Sequence, residues 1–244
     1  MAVSVRHLWK EYGSQVVLEN LNLEIGTGEF VTIVGASGCG KTTFLRMLLG
    51  MEQPTRGEFL VDGKPLPAEP GPDRGIVFQR YSLFPHLTVM QNLLLALEFA
   101  GAPLSGRLFG GARRAAREKA AALLEAVGLY PARDKYPAQL SGGMQQRLSI
   151  AQSVIREPRI LLLDEPFGAL DPGITADMHQ LIIKLWHEHR MTIFMITHDL
   201  KESFDLGTRV LVFDKVRHDP QAPERFGATV TYNLPLTHSR RQAG

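Results

Sequence analysis

Cysteine is almost missing from this chain: Cys39 is the single one in 244 residues. That excludes an intramolecular disulfide framework and a Cys-based zinc site, and a reducing cytosol is the compartment that fits. Long apolar runs are missing too. Nothing approaches the roughly 18 consecutive apolar residues of a membrane-spanning helix. The leading residues Met1-Ala2-Val3-Ser4-Val5-Arg6 lack the apolar stretch of a secretory signal, and Ala2 stands where N-myristoylation needs glycine. Any tie to a membrane is therefore expected to run through a partner. Charge of one sign is scarce as well. The 27 basic residues against 25 acidic ones leave a net +2, too weak to argue for nucleic acid. No histidine pattern reads as a metal site: His187-Glu188-His189 is not H-E-x-x-H, and residues two apart on a helix face away from one another. His179, His187 and His189 read as polar residues on an exposed helix.

What is present is an ordinary globular composition, 44% hydrophobic and 21% charged, long enough for one large or two small domains. The first quarter is β-rich. Val3 to Trp9 and Leu21 to Ile25 alternate with period two, and the second run ends in the turn Gly26-Thr27-Gly28-Glu29. Glu58 to Val61 followed by Asp62-Gly63 reads as a strand entering a hairpin. Gly75 to Phe78 is a short buried strand. Thr88-x-x-Gln91 is a capping box for a helix from about Val89 to Phe99, stopped near Gly101; Pro103 to Gly111 reads as loop. Residues 112–127 carry Ala116, Ala120, Leu123, Leu124 and Val127 at helical spacing, with Gly128 as C-cap. Arg113, Arg114, Arg117 and Lys119 form its solvated face, with Glu118 four residues after Arg114. Ser141 caps a helix through about Ile155. Ile160 to Leu163 is a fully apolar strand suited to the centre of a parallel sheet. A helix from Pro172 to His189 and strands at Met191–Thr197 and Arg209–Phe213 follow, then one β-like turn around Ala228 to Tyr232.

The chemistry concentrates in two places. Gly35-Ala36-Ser37-Gly38-Cys39-Gly40-Lys41-Thr42 fits G-x-x-x-x-G-K-[ST], between the β-like run Phe30 to Val34 and the helix-like run Thr43 to Leu49. Glycines let the backbone N–H groups turn toward anionic oxygens, and the helix N-terminus adds its positive end. Lys41 brings a point charge for β- and γ-phosphates, and the Thr42 hydroxyl can ligate Mg²⁺. Cys39 reads as a tolerated small side chain whose amide does the local work. The second place is Ile160-Leu161-Leu162-Leu163-Asp164-Glu165, an acidic pair at the C-terminal end of a buried strand. Asp164 suits Mg²⁺ held through water, and Glu165 suits orienting and deprotonating an attacking water.

With Leu140-Ser141-Gly142-Gly143-Met144-Gln145-Gln146-Arg147 added, the chain resembles the ATP-binding subunits of ABC transporters over nearly its whole length. The resemblance implies an α/β fold. It would be a P-loop NTPase core, a parallel sheet flanked by helices, with an N-terminal antiparallel β subdomain. A helical subdomain, about residues 86–157, would carry the signature motif. The cassette would span 1–236 and leave 237–244 as a polar tail. ATP and Mg²⁺ are the implied cofactors. The glycines and helix N-terminus at Ser141, Gly142 and Gly143 make a second anion site. The resemblance pairs it with the first in a head-to-tail dimer, where one copy touches the γ-phosphate held by the other. Met144 stands where the family consensus has Gln, a departure familiar in the nitrate/sulfonate/taurine branch. The resemblance also implies that Tyr12 stacks on adenine, and that Thr43 joins the phosphate loop. It assigns Gln79 to sensing Mg²⁺ and the water, Asp171 to the dimer contact, and His198 to the γ-phosphate.

Three function classes compete. A GTPase or kinase reading lacks an N-K-x-D motif and leaves Leu140 to Met144 without a purpose. A soluble ABC-type ATPase acting on nucleic acid or ribosomes calls for a long coiled coil or a second cassette, and neither is present. The importer reading remains. Its partners would be a second ATP-binding subunit, most simply an identical one, separate integral permease subunits, and indirectly an extracytoplasmic solute-binding protein. Nucleic acid is not expected, nor an appended regulatory domain. The chain would sit peripherally on the cytoplasmic face of the inner membrane. Gln79 to Leu87 resembles the groove where a permease coupling helix docks, with Tyr81, Leu83 and Phe84 as patch residues. Tyr136 to Arg147 and Asp214-Lys215-Val216-Arg217-His218-Asp219-Pro220 resemble a subgroup found beside urea- and guanidine-metabolising enzymes. A small nitrogenous or sulfonate-type solute is the corresponding expectation.

Overall fold

The computed structural model describes residues 2–66, 69, 71–78, 82–101, 108–168 and 170–236. The chain opens with strands β1 (Val3–Tyr12), β2 (Gln15–Ile25) and β3 (Phe30–Gly35), then helix α1 (Lys41–Leu49). Strands β4 (Arg56–Val61), β5 (Lys64–Pro65) and β6 (Arg74–Val77) precede helices α2 (Val89–Gly101), α3 (Gly110–Ala126) and α4 (Gly142–Val154). Strand β7 (Ile160–Asp164), helix α5 (Pro172–His189) and strand β8 (Thr192–Ile196) come next. Helix α6 (Leu200–Leu206) and strands β9 (Arg209–Asp214) and β10 (Thr229–Pro235) complete the described chain. Two compact units result, Met1–Gly71 with Arg190–Gly244, and Pro72–His189; the segment 86–157 lies within the second.

The first unit holds an antiparallel sheet in the order β2-β1-β4-β5. It also holds β3, flanked by β8 and β9 in parallel register, with β10 antiparallel on β9. Strand β3 is buried from Phe30 to Val34, as a strand covered on both faces must be. Helix α1 is tied down through Phe44, which is fully buried. Its ring stacks on Phe59 at 5.4 Å and tilts against Phe213 at 5.5 Å and Phe194 at 6.3 Å, so side chains of β4, β8 and β9 all grip one helix.

The second unit pairs β6 with β7 in parallel and supplies helices α2 to α5. The capping box of α2 forms: the Thr88 N–H donates to Gln91 Oε1 at 2.8 Å, and the Gln91 N–H to Thr88 Oγ1 at 3.3 Å. Fully buried Asn92 donates to the carbonyls of Phe84, Leu87 and Thr88 and accepts from the Phe84 N–H, which fixes the loop before α2. Helix α3 buries Ala116, Ala120 and Leu124 and turns Arg113, Arg114, Arg117 and Lys119 outward, with Arg114 Nε 3.8 Å from Glu118. Gly128 ends it at φ 72°.

Strand β2 starts six residues before the expected Leu21, because β1 and β2 turn directly into one another at Gly13, whose φ is 59°. Helix α3 starts at Gly110, inside the stretch read as loop, while 102–107 lie outside the described residues. Helix α6 is absent from the sequence reading; its seven residues are too few for a periodic signal. His179 and His189 are half-buried rather than exposed, and the His179 ring lies edge-on to Phe167 at 5.1 Å. The expected tail 237–244 lies outside the described residues.

Candidate functional site

The phosphate loop leaves β3 at Gly35 and ends in α1. Gly35, Gly38 and Gly40 all have positive φ, at 151°, 78° and 85°. A Cβ on Gly35 would come 2.1 Å from the Phe213 carbonyl oxygen, and one on Gly40 would come 2.6 Å from Leu18 Cδ2. Glycine is thus forced at both places by backbone angle and by space. Gly38 faces open space instead, at the crest formed by exposed Ala36, Ser37 and Gly38. The Lys41 ammonium, on a residue 9% exposed, donates to the Gly35 and Ala36 carbonyls at 2.7 and 2.8 Å. Cys39 is buried with Sγ 3.7 Å from that ammonium. Thr42 is exposed and Thr43 half-buried on the first turn of α1, which carries no acidic residue and no side-chain cap. Its N–H groups therefore face outward with the dipole's positive end.

Tyr12 lies beside that turn, 45% exposed. Its hydroxyl donates to Glu52, and the Lys10 ammonium sits 4.8 Å from its ring centre. Burial first, and the Glu52 carboxylate second, push the phenol above its ordinary value of 10.0; Thr43 and Arg46 act in the opposite direction. Glu52 in turn has Lys10 at 3.3 Å and Arg46 at 3.6 Å. It is the residue that sets the Tyr12 ring, and sequence reasoning missed it because a lone acidic residue after a helix carries no motif.

His198 is exposed on the turn after β8. Ile196 pairs with Ile33 of β3, so His198 and Gly35 leave their strands at one edge of the first unit's sheet. The turn is pinned by Asp199, whose N–H donates to Thr197 Oγ1 at 3.0 Å and whose carboxylate caps α6 through the Lys201 and Glu202 N–H groups.

The second unit gathers the acidic residues and the signature. Val77 of β6 pairs with Leu163 of β7, which brings the chain after Val77 to the edge where Asp164 ends β7. Gln79 itself lies outside the described residues, as do Tyr81 and Ala169. Glu165 has φ 47°, a left-handed backbone that a non-glycine residue adopts only where its surroundings hold it. Asp171 is exposed at the start of α5. At the head of α4, Ser141 and Gly142 are exposed, and Ser141 Oγ accepts from the Met144 N–H at 3.3 Å. Gly143 is buried against α5: a Cβ there would meet Ile174 Cγ2 at 2.7 Å. Arg147 lies 3.6 Å from Asp177, a second tie between α4 and α5. Gln145 donates to the Pro137 and Leu140 carbonyls, fixing the approach to the helix.

Each unit thus assembles its own group: Tyr12, residues 35–43 and His198 in the first, and Asp164, Glu165, Asp171 and Ser141 to Gly143 in the second. A strand-borne phosphate loop opening a helix, in an α/β fold with an N-terminal antiparallel sheet, defines a P-loop nucleoside triphosphatase. The family model described as ABC transporter matches residues 18–168, and the chain belongs to that family: it is an ATP-binding cassette that hydrolyses ATP. The nitrate import ATP-binding protein NrtD of Synechocystis sp. is 44% identical over 223 residues, 91% of this chain and 78% of that protein. The bicarbonate transport ATP-binding protein CmpD of Synechocystis sp. is 42% identical over 206 residues, 84% of this chain and 70% of that one. Among solved structures, a dimeric ATP-binding cassette in a post-hydrolysis state, bound to ADP and Pi, matches with TM-score 0.75 and 30% identity. That match covers 96% of this chain and 99% of the other.

Proposed function

We propose that this chain is the ATP-hydrolysing subunit of a membrane importer, working in a head-to-tail pair on the cytoplasmic face of the membrane. The observation that carries the proposal is the head of α4. Its exposed Ser141 and Gly142 form an anion-attracting helix start, and they stand in a different unit from the phosphate loop. Relatives named for nitrate and bicarbonate transport, and a dimeric cassette holding ADP and Pi, support the same reading. Among the described residues no helix is long and apolar enough to cross a membrane, so the translocation path would belong to permease subunits. An extracytoplasmic solute-binding protein would deliver a small nitrogenous or sulfonate-type solute to them.

The residues divide the work as follows. Tyr12 stacks on the adenine, and Lys41, with the amides of 35–43, takes the β- and γ-phosphates. No group of three or more His, Cys, Asp and Glu among the described residues could cage a metal alone. Mg²⁺, which keeps water and phosphate oxygens, would take the exposed Thr42 hydroxyl as its protein oxygen, with Asp164 holding the ion through water and Gln79 sensing it. Bound Mg²⁺ supplies charge neutralisation on the phosphates. Glu165 accepts the proton of the attacking water, while Gln79 and His198 hold that water and the γ-phosphate. Ser141, Gly142 and Gly143 of the partner copy close on the same γ-phosphate, and Asp171 crosses the dimer contact. ATP binding thereby favours the closed pair, and loss of the γ-phosphate reopens it.

The test is Glu165→Gln. Turnover should fall by about a thousandfold or more, as removal of a water-activating base does. In solution, Mg-ATP should raise the mass of this variant from the 27.1 kDa of one chain to twice that value. A Glu165→Gln chain that hydrolyses normally and stays at one-chain mass with ATP contradicts the proposal.

A further inference from the structure

The last turn of α2 and the start of α3 expose aromatic rings beside guanidinium groups. Phe109 is 70% exposed at the N-cap of α3, and Phe99 is 63% exposed near the end of α2. Leu94 and Leu95 of α2 and Leu108 line a cleft of about 430 Å³ between the two helices. Glu98, beside Phe99 in the chain, shares that cleft with Phe109 and Arg113, so the two rings stand at one end of the helix pair. The cations follow in order along α3. The Arg113 N–H, one turn after Phe109, donates to the Phe109 carbonyl at 3.4 Å, and Arg117 comes one turn later. Both side chains are exposed, and neither has an ion pair among the described residues. Arg114 has Glu118 at 3.8 Å, but those side chains are 83% and 73% exposed, where such a pair is worth little. Lys119 is engaged by Glu157 at 2.7 Å and plays no part here.

Large apolar side chains grouped on a surface mark a place that something else covers. Guanidinium groups without carboxylate partners match phosphate oxygens in both charge and geometry. A bilayer surface offers the two complements together: phosphate charge spread over a plane, and an acyl boundary just beneath it. A nucleic acid offers the first without the second. We propose that this end of the α2–α3 pair rests on anionic phospholipid. Phe99 and Phe109 enter the acyl boundary, and Arg113, Arg114 and Arg117 take headgroup phosphates. Two rings and three arginines make a weak, reversible contact, of the kind that orients a protein already held at a membrane by other means. The proposal rests on the importer reading for the chain's place at a membrane, and adds a contact with lipid that needs no membrane subunit.

The experiment sediments the full chain with vesicles of phosphatidylcholine alone, and of phosphatidylcholine with about one third phosphatidylglycerol. The chain should partition onto the anionic vesicles about tenfold more strongly than onto the neutral ones, and about 1 M salt should abolish the difference. Arg113→Gln combined with Arg117→Gln should lower partition onto anionic vesicles by about tenfold, and Phe109→Ser by about as much. Arg113→Lys combined with Arg117→Lys keeps the charge and should keep most of the binding. These side chains are exposed and lie outside the nucleotide machinery, so every variant should bind ATP as the unaltered chain does, which verifies its fold. Equal partition onto the two kinds of vesicle overturns the proposal, as do Gln and Ser variants that bind anionic vesicles undiminished. If the chain ignores both vesicles while the same variants weaken its hold on detergent-solubilised membrane subunits, the surface serves a protein and the lipid assignment is wrong. None of these failures touches the importer reading, which stands or falls on the turnover and mass of Glu165→Gln.

Discussion

Lys41 illustrates how a single side chain is poised. Its ammonium is already gathered into the loop by two carbonyls, at 2.7 and 2.8 Å, so in the proposed role a phosphate would meet a cation whose position is fixed in advance. Lys41→Ala removes charge-assisted hydrogen bonds worth roughly 1.5–3 kcal/mol. Equilibrium titration with ATP should show affinity falling by roughly tenfold to a hundredfold. Unchanged affinity would remove Lys41 from its assigned role. The identity of this residue was legible because spacing and context both marked it. The left-handed backbone of Glu165 was not, since φ depends on what packs around the turn after β7 rather than on the residue type. Glu52 was hidden for a similar reason: its meaning lies in meeting Tyr12, Lys10 and Arg46, three residues distant from it along the chain or across a turn.

Among elements, α4 is the one whose setting matters most. Gly143 lets it approach α5 so closely that a methyl group would sit 2.7 Å from Ile174 Cγ2. Gly143→Ala should therefore cost about 1–3 kcal/mol by overpacking and shift the head of the helix. We expect its ATPase activity to fall while nucleotide affinity of the single chain holds, and Gly143→Ala with Ile174→Ala to recover part of the activity. ATP turnover equal to the unaltered chain would show that the close approach is immaterial. The starts of α4 and α5 were readable in advance, since Ser141 and Pro172 are strong helix starts. Short or turn-bound pieces were not. Helix α6 rests on the cap made by Asp199, and the early start of β2 rests on pairing with β1, both of which need a partner in space.

For the whole molecule, the two loops proposed to receive anions occur in one chain, and each is built by a different compact unit. The motifs announced both; the fold adds that Ser141 and Gly142 are open to a neighbour, whereas Leu140 and Gly143 are committed to the interior of their own unit. The account therefore turns on whether the head of α4 serves a nucleotide held by another copy. The most direct measurement mixes an epitope-tagged Lys41→Ala chain with a Glu165→Gln chain and an ATP analogue bearing a photoreactive group on its γ-phosphate. At an analogue concentration between the two chains' affinities, the second chain is the one whose phosphate loop fills. The account predicts label on residues 140–147 of the tagged chain. Label confined to the chain that holds the nucleotide would contradict it.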